Sequence, residues 1–131
     1  MPSNPETLSI AQAAFQDFSA GLATGDWSRF LAWLSDDFTF WFPSGPFKGT
    51  NIGKDRAEAF FAMVSQIFPE GLSLTVERVF CQDATVLFEV RSQGEMLGHP
   101  YENQAAISFD VAGDKICGYR EYLGVVFKLG D

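Results

Sequence analysis

Histidine and cysteine are scarce in this chain, one of the first and two of the second. A histidine-based metal site needs several imidazoles, and His99 stands alone. Cys81 and Cys117 are far apart and lack metal-ligand spacing. They read as buried, reduced thiols of a cytoplasmic protein, and neither a metal nor a cofactor is expected. Basic residues are also few, nine Lys and Arg against 17 Asp and Glu, for a net charge of −8. A phosphate backbone needs a basic face, so nucleic acid is excluded as a partner, and the acidic excess serves solubility. No apolar run approaches a membrane span. The opening "MPSNPETLSI" has neither the basic nor the apolar region of a signal peptide, so no membrane partner is expected. A glycine-rich phosphate loop and a Gly-x-Ser-x-Gly elbow are both missing.

Phenylalanine is abundant instead, with 14 among 131 residues. A chain of this length suits a single domain over residues 1–131 and buries enough surface to need no staple. Leu8, Ala11, Phe15, Phe18 and Leu22 recur at helical spacing. Gly25 can end that helix in a left-handed cap, and Asp26 can cap a second helix carrying Trp27, Phe30, Leu31 and Leu34. "DDFTFWFP" reads as a short strand stopped by Pro43. "SGPFKGTNIG" reads as a loop. Ala57, Phe60, Phe61, Val64 and Ile67 mark a third helix, stopped by Pro69. Beyond Gly71 the period changes to two, and four strands follow, joined by hairpin-type turns and ending in "KICGYREYLGVVFKL". The expected fold is α+β, a curved antiparallel sheet packed against three helices. Asp36 and Asp37 look like a carboxylate dyad, but turn chemistry at a helix-to-strand corner explains them better.

Four stretches, "GLATGDWSRFLAWLSDDFTF", "PFKGTNIGKDRAEAFF", "YENQAAISFDVAGDKI" and "REYLG", follow one another in an order that resembles the nuclear transport factor 2-like superfamily. The branch they are most similar to is that of the SnoaL-like polyketide cyclases and ketosteroid-isomerase-like proteins. The resemblance implies a cone-shaped sheet closed by helices around a largely apolar pocket, and a homodimer through the outer face of the sheet. It also implies where catalytic groups should stand. The tyrosine, base and oxyanion-hole aspartate of the steroid isomerases fall on Phe18, Phe42 and near Ala105, none of which can move a proton or donate a hydrogen bond. The Arg-x-Asp pair of the epoxide hydrolases does not occur. The last-strand aspartate of the cyclases is replaced by Gly124.

Strand alternation supplies other candidates. The register that turns Phe42 and Ala105 inward also turns in Tyr119, Glu121 and Leu123 on the last strand. On the preceding strand it turns in His99, Tyr101, Asn103, Ile107 and Phe109. Arg120 and Tyr122, with Trp41, then face outward and supply the expected dimer surface. A shift of one residue at a bulge would exchange Glu121 for Arg120. The expected pocket sets Tyr101, Asn103, Tyr119 and Glu121 among Phe15, Phe18, Phe40, Phe42, Phe60, Val64, Ile107 and Leu123. Apolar walls with a few convergent polar groups suit a small apolar or aromatic molecule.

Glu121 is the main candidate for catalysis, because a carboxylate in an apolar pocket has a raised pKa and suits general acid/base work. Its alternative role is structural, paired with Arg78, Arg91 or a tyrosine. His99 is a second candidate base, or a solvated histidine at the rim. Tyr101 and Asn103 either orient a substrate oxygen or satisfy one another. Two functions therefore stand side by side. One is a cofactor-free isomerase, cyclase or lyase acting by proton transfer. The other is a ligand-binding or dimerisation module without chemistry.

Overall fold

A computed structural model describes residues 5–124. Its elements in chain order are α1 (Pro5–Thr24), α2 (Ser28–Leu31), β1 (Leu34–Phe42), a 3-10 turn (Gly45–Phe47), β2 (Gly49–Ile52), α3 (Lys54–Ile67), β3 (Leu72–Gln82), β4 (Thr85–Met96), β5 (His99–Ala112) and β6 (Lys115–Gly124). The strands form one curved, unclosed six-stranded sheet in the order β2-β1-β6-β5-β4-β3. The fold is α+β, as the residue pattern predicts. The expected run of the last strand on to Leu129 lies outside the described residues.

The helices bury the residues their periodicity marks. In α1 these are Ala11, Ala14, Phe15, Phe18, Gly21 and Leu22. Gly21 is there for space, since a Cβ would come within 2.5 Å of the Trp27 ring. Gly25 ends the helix at φ +85° and returns its N–H to the Gly21 carbonyl at 2.8 Å, as a left-handed cap requires. The indole of Trp27 then stacks on Phe61 at 4.5 Å and donates Nε1–H to Ser65 Oγ at 2.8 Å, which ties this corner to α3. Phe18 sits at the middle of the core, with the rings of Phe15, Trp27, Phe30, Phe61, Phe109 and Tyr119 around it at centroid distances of 5.2–6.0 Å.

Four expectations are corrected. The second helix is a single turn, and Leu34 belongs to β1. The chain leaves the helix because the Trp33 carbonyl accepts the Ile116 N–H, which opens the pairing with β6. Asp36 and Asp37 therefore lie inside β1, in an irregular stretch between Leu34 and Thr39. They form no dyad: Asp37 accepts from Ser35 Oγ at 2.6 Å and Asp36 faces Lys54 at 3.6 Å. The segment read as a loop contains β2, which pairs antiparallel with β1 and covers its edge. The sheet is mixed, because β1 and β6 run parallel. Residue pattern reports strand direction only across hairpins, and β1 meets β6 from the far end of the chain.

Candidate functional site

β4, β5 and β6 carry the polar side chains of the site, and α3 faces them with apolar ones. The inward positions of β4 are Val86, Phe88, Val90 and Ser92, all buried. Ser92 lies directly across from Asn103, and Gly94 across from Tyr101. On β6, Tyr119 lies across from Phe109, Glu121 across from Ile107 and Leu123 across from Ala105. No bulge separates Tyr119 from Glu121, so Glu121 keeps the inward face and Arg120 the outer one.

Between this wall and α3 is a cavity of about 180 Å³. Phe18, Phe42, Phe60, Val64, Tyr101, Asn103, Ala105, Ile107, Tyr119, Glu121 and Leu123 all line it. Three expected residues do not. Phe15 is stacked on Phe88 at 4.1 Å, deeper in the core. Phe40 is buried against Phe47, Phe60 and Tyr119. His99 shares the parity of Tyr101, but it is the first residue of β5, exposed at the hairpin tip and clear of the cavity lining. Sequence reasoning missed Ser92, Met63, Phe68, Leu74 and Met96, which also line the cavity. The alternation of Val86, Phe88 and Val90 would have predicted Ser92.

Two hydrogen-bonded groups stand on the wall. Tyr119 donates its O–H to Glu121 Oε1. Ser92 Oγ donates to Asn103 Oδ1, and Asn103 Nδ2 donates to the Tyr101 oxygen. The arginines that could have neutralised Glu121 lie elsewhere. Arg78 pairs with Glu89 at 2.5 Å and Arg91 with Glu77 at 3.3 Å. Among the described residues Glu121 has no cationic partner. Burial raises its pKa to about 7, against the opposing effect of the Tyr119 hydrogen bond. Burial also raises the Tyr101 pKa, and the nearby Glu121 charge adds to that rise. Tyr119 is pushed well above the ordinary range, first by burial and then by the same carboxylate. The wall thus carries one carboxyl with a raised pKa and two phenols pushed above their ordinary range. Among the described residues no three His, Cys, Asp or Glu side chains gather to hold a metal.

Comparison with known proteins gives this geometry a family. The SnoaL-like domain family matches residues 15–119. The chain belongs to that family. An NTF2-like protein from Anabaena variabilis ATCC 29413 is 49% identical, with a TM-score of 0.91 over 96% of each chain. A putative isomerase from Bacillus subtilis (21% identity, TM-score 0.79, 90% of this chain and 88% of that one) shares the fold. So does a putative SnoaL-like polyketide cyclase from Jannaschia sp. CCS1 (19% identity, TM-score 0.76, 94% and 88%). No curated protein matches. The family match ends at Tyr119, so the case for Glu121 in this SnoaL-like chain rests on its own geometry. Among the described residues no helix is long and apolar enough to cross a membrane.

The buried carboxyl makes stability depend on pH. Below its ordinary pKa of 4.5 Glu121 holds its proton whether the chain is folded or unfolded. Between there and about 7 the unfolded chain ionises and the folded one does not, so this group's contribution falls as pH rises. Above that window the penalty is constant. Glu121→Gln removes the penalty, so between pH 4 and pH 8 its stability relative to wild type improves by on the order of 2–3 kcal/mol. Urea denaturation of both proteins at the two pH values checks this. A difference that does not change with pH would show that Glu121 is ordinarily solvated.

Proposed function

We propose that this SnoaL-like protein binds a small, largely apolar molecule of about one ring, and that Glu121 moves a proton on it. The observation that carries this reading is a carboxyl on an apolar cavity wall with no cation beside it among the described residues. Burial lifts its pKa to about 7, which suits it to take and return a proton near neutrality. The size follows from the volume. A dry protein cavity of about 150 Å³ holds benzene, and drug-sized ligands need roughly twice that or more.

The chemistry is that of a cofactor-free isomerase, cyclase or lyase. The Glu121 carboxylate takes a proton from a carbon beside a carbonyl. The electron pair of that C–H bond moves into the enolate, and its charge settles on the oxygen. Protonated Glu121 then returns the proton at the same or another carbon. Tyr101, held by Asn103, faces the oxygen. Tyr119 has its hydroxyl committed to Glu121, so its part is to hold the carboxylate in place. The apolar Phe18, Phe42 and Ala105 on the wall favour a second reading, a SnoaL-like binder without chemistry.

Deuterium exchange separates the two readings without a known substrate. Wild-type protein incubated in D₂O with a single-ring ketone labels the α-carbon faster than buffer does, and Glu121→Gln loses roughly 10²- to 10⁴-fold of that rate. Binding without any labelling supports the second reading. Labelling that survives Glu121→Gln removes Glu121 from the chemistry.

We also take the outer sheet face as a homodimer contact. Trp41 and Tyr122 lie there in a tilted pair with ring centroids 5.1 Å apart, beside exposed Arg120, and Tyr122 is 49% accessible. Aromatic residues and arginine are enriched in such contacts. Tyr122→Glu gives a monomer by light scattering where wild type gives a dimer. A monomeric wild type would refute the assignment.

A further inference from the structure

The cavity contains a serine that the proposed chemistry does not use. Ser92 is 3% exposed, and a buried hydroxyl must find an acceptor. Its acceptor is Asn103 Oδ1, directly across the β4–β5 ladder. That bond fixes which way round the Asn103 amide lies. In the opposite orientation Ser92 Oγ would accept from Nδ2–H and its own O–H would be left buried without that acceptor, at a cost larger than the net gain of an ordinary hydrogen bond. With Oδ1 turned to Ser92, Nδ2 faces Tyr101 and donates to its oxygen. The Tyr101 oxygen accepts from the protein, and no acceptor within the described residues takes its own O–H. The other tyrosine on the wall, Tyr119, has its proton on Glu121. Of the two tyrosine hydroxyls on the wall, Tyr101 is therefore the one left to donate to a ligand, and its direction is set two residues away.

We infer that Ser92 sets the hydrogen-bonding polarity of this wall, through Asn103, so that Tyr101 presents a donor and the cavity selects single-ring carbonyl compounds over hydrocarbons of the same shape. Ser92 is a positioning residue, and the selectivity it creates is for an uncharged oxygen acceptor. The inference rests on the proposed reading that the cavity is a ligand site. Without the serine hydroxyl the Asn103 amide is free to turn over. Tyr101 can then donate to Asn103 Oδ1, and its proton is withdrawn from the ligand.

Cyclohexanone and methylenecyclohexane test this, because they differ in a C=O against a C=CH₂ on the same ring. Their affinities are measured by calorimetry on the full chain. Ser92→Ala lowers the ketone-to-hydrocarbon affinity ratio roughly three- to tenfold relative to wild type, the range of one neutral hydrogen bond. Ser92→Thr, which keeps the hydroxyl, restores the ratio, and Tyr101→Phe lowers it at least as far as Ser92→Ala. A ratio that is the same in wild type and Ser92→Ala overturns the inference, as does equal weakening of both probes, which is what a packing role alone would give. In either case hydrocarbon binding to wild type leaves the cavity reading standing. If neither probe binds wild type, the inference and the cavity reading fall together.

Discussion

The ring of Tyr119 and its hydroxyl belong to two different parts of this protein, and the covalent tie between them joins core to site. The ring is 2% exposed and packs among Phe18, Phe61 and Phe109 at 5.7, 5.8 and 6.1 Å. That cluster seats α1 and α3 on the sheet through edge and tilted contacts, which aromatic rings prefer over a face-to-face sandwich. The hydroxyl reaches out of the cluster and meets Glu121 two residues on, the spacing that puts both on one face of β6. The carboxyl is held where the packed core stops and the cavity begins.

Position then determines chemistry. A carboxylate in water is ordinary, and one beside an arginine is held ionised. Glu121 has neither situation, because Arg78 and Arg91 point to the other face of the sheet and are occupied by Glu89 and Glu77. Among the described residues desolvation acts on it with the Tyr119 hydrogen bond in opposition. Ser92 and Asn103 are buried beside it, and a buried donor has to be matched, which is the ground for reading the Ser92, Asn103 and Tyr101 chain as directional. A SnoaL-like fold does not by itself specify a reaction. In this chain a carboxyl at Glu121 and a phenol at Tyr101 stand on a cavity wall that also carries Phe18, Phe42 and Ala105.

Much of this was legible in the residues. Period-two alternation in β5 and β6 placed Tyr101, Asn103, Tyr119 and Glu121 on one face, because strand side chains have no other choice once the register is set. Helical spacing likewise marked Phe18 and Phe60. Pattern does not carry long-range partners. It could not show that β1 joins β6 in parallel, or that "GTNI" forms β2, because those pairings are made between distant segments. Strand parity placed His99, and helical spacing Phe15, on the right side of their elements but gave no depth. His99 lies past the end of the cavity, and Phe15 lies beneath it against Phe88. Ser92 was missed although its alternation is as regular as that of Tyr101.

A carbon-13 NMR titration of the Glu121 side-chain carboxyl tests the central claim most directly. The account predicts a midpoint of about 7, and a higher one in Tyr119→Phe, where the hydrogen bond that favours the ionised form is gone. A midpoint near the ordinary 4.5 would contradict it, and would mean that water or an ion reaches the carboxylate and the cavity holds no poised acid.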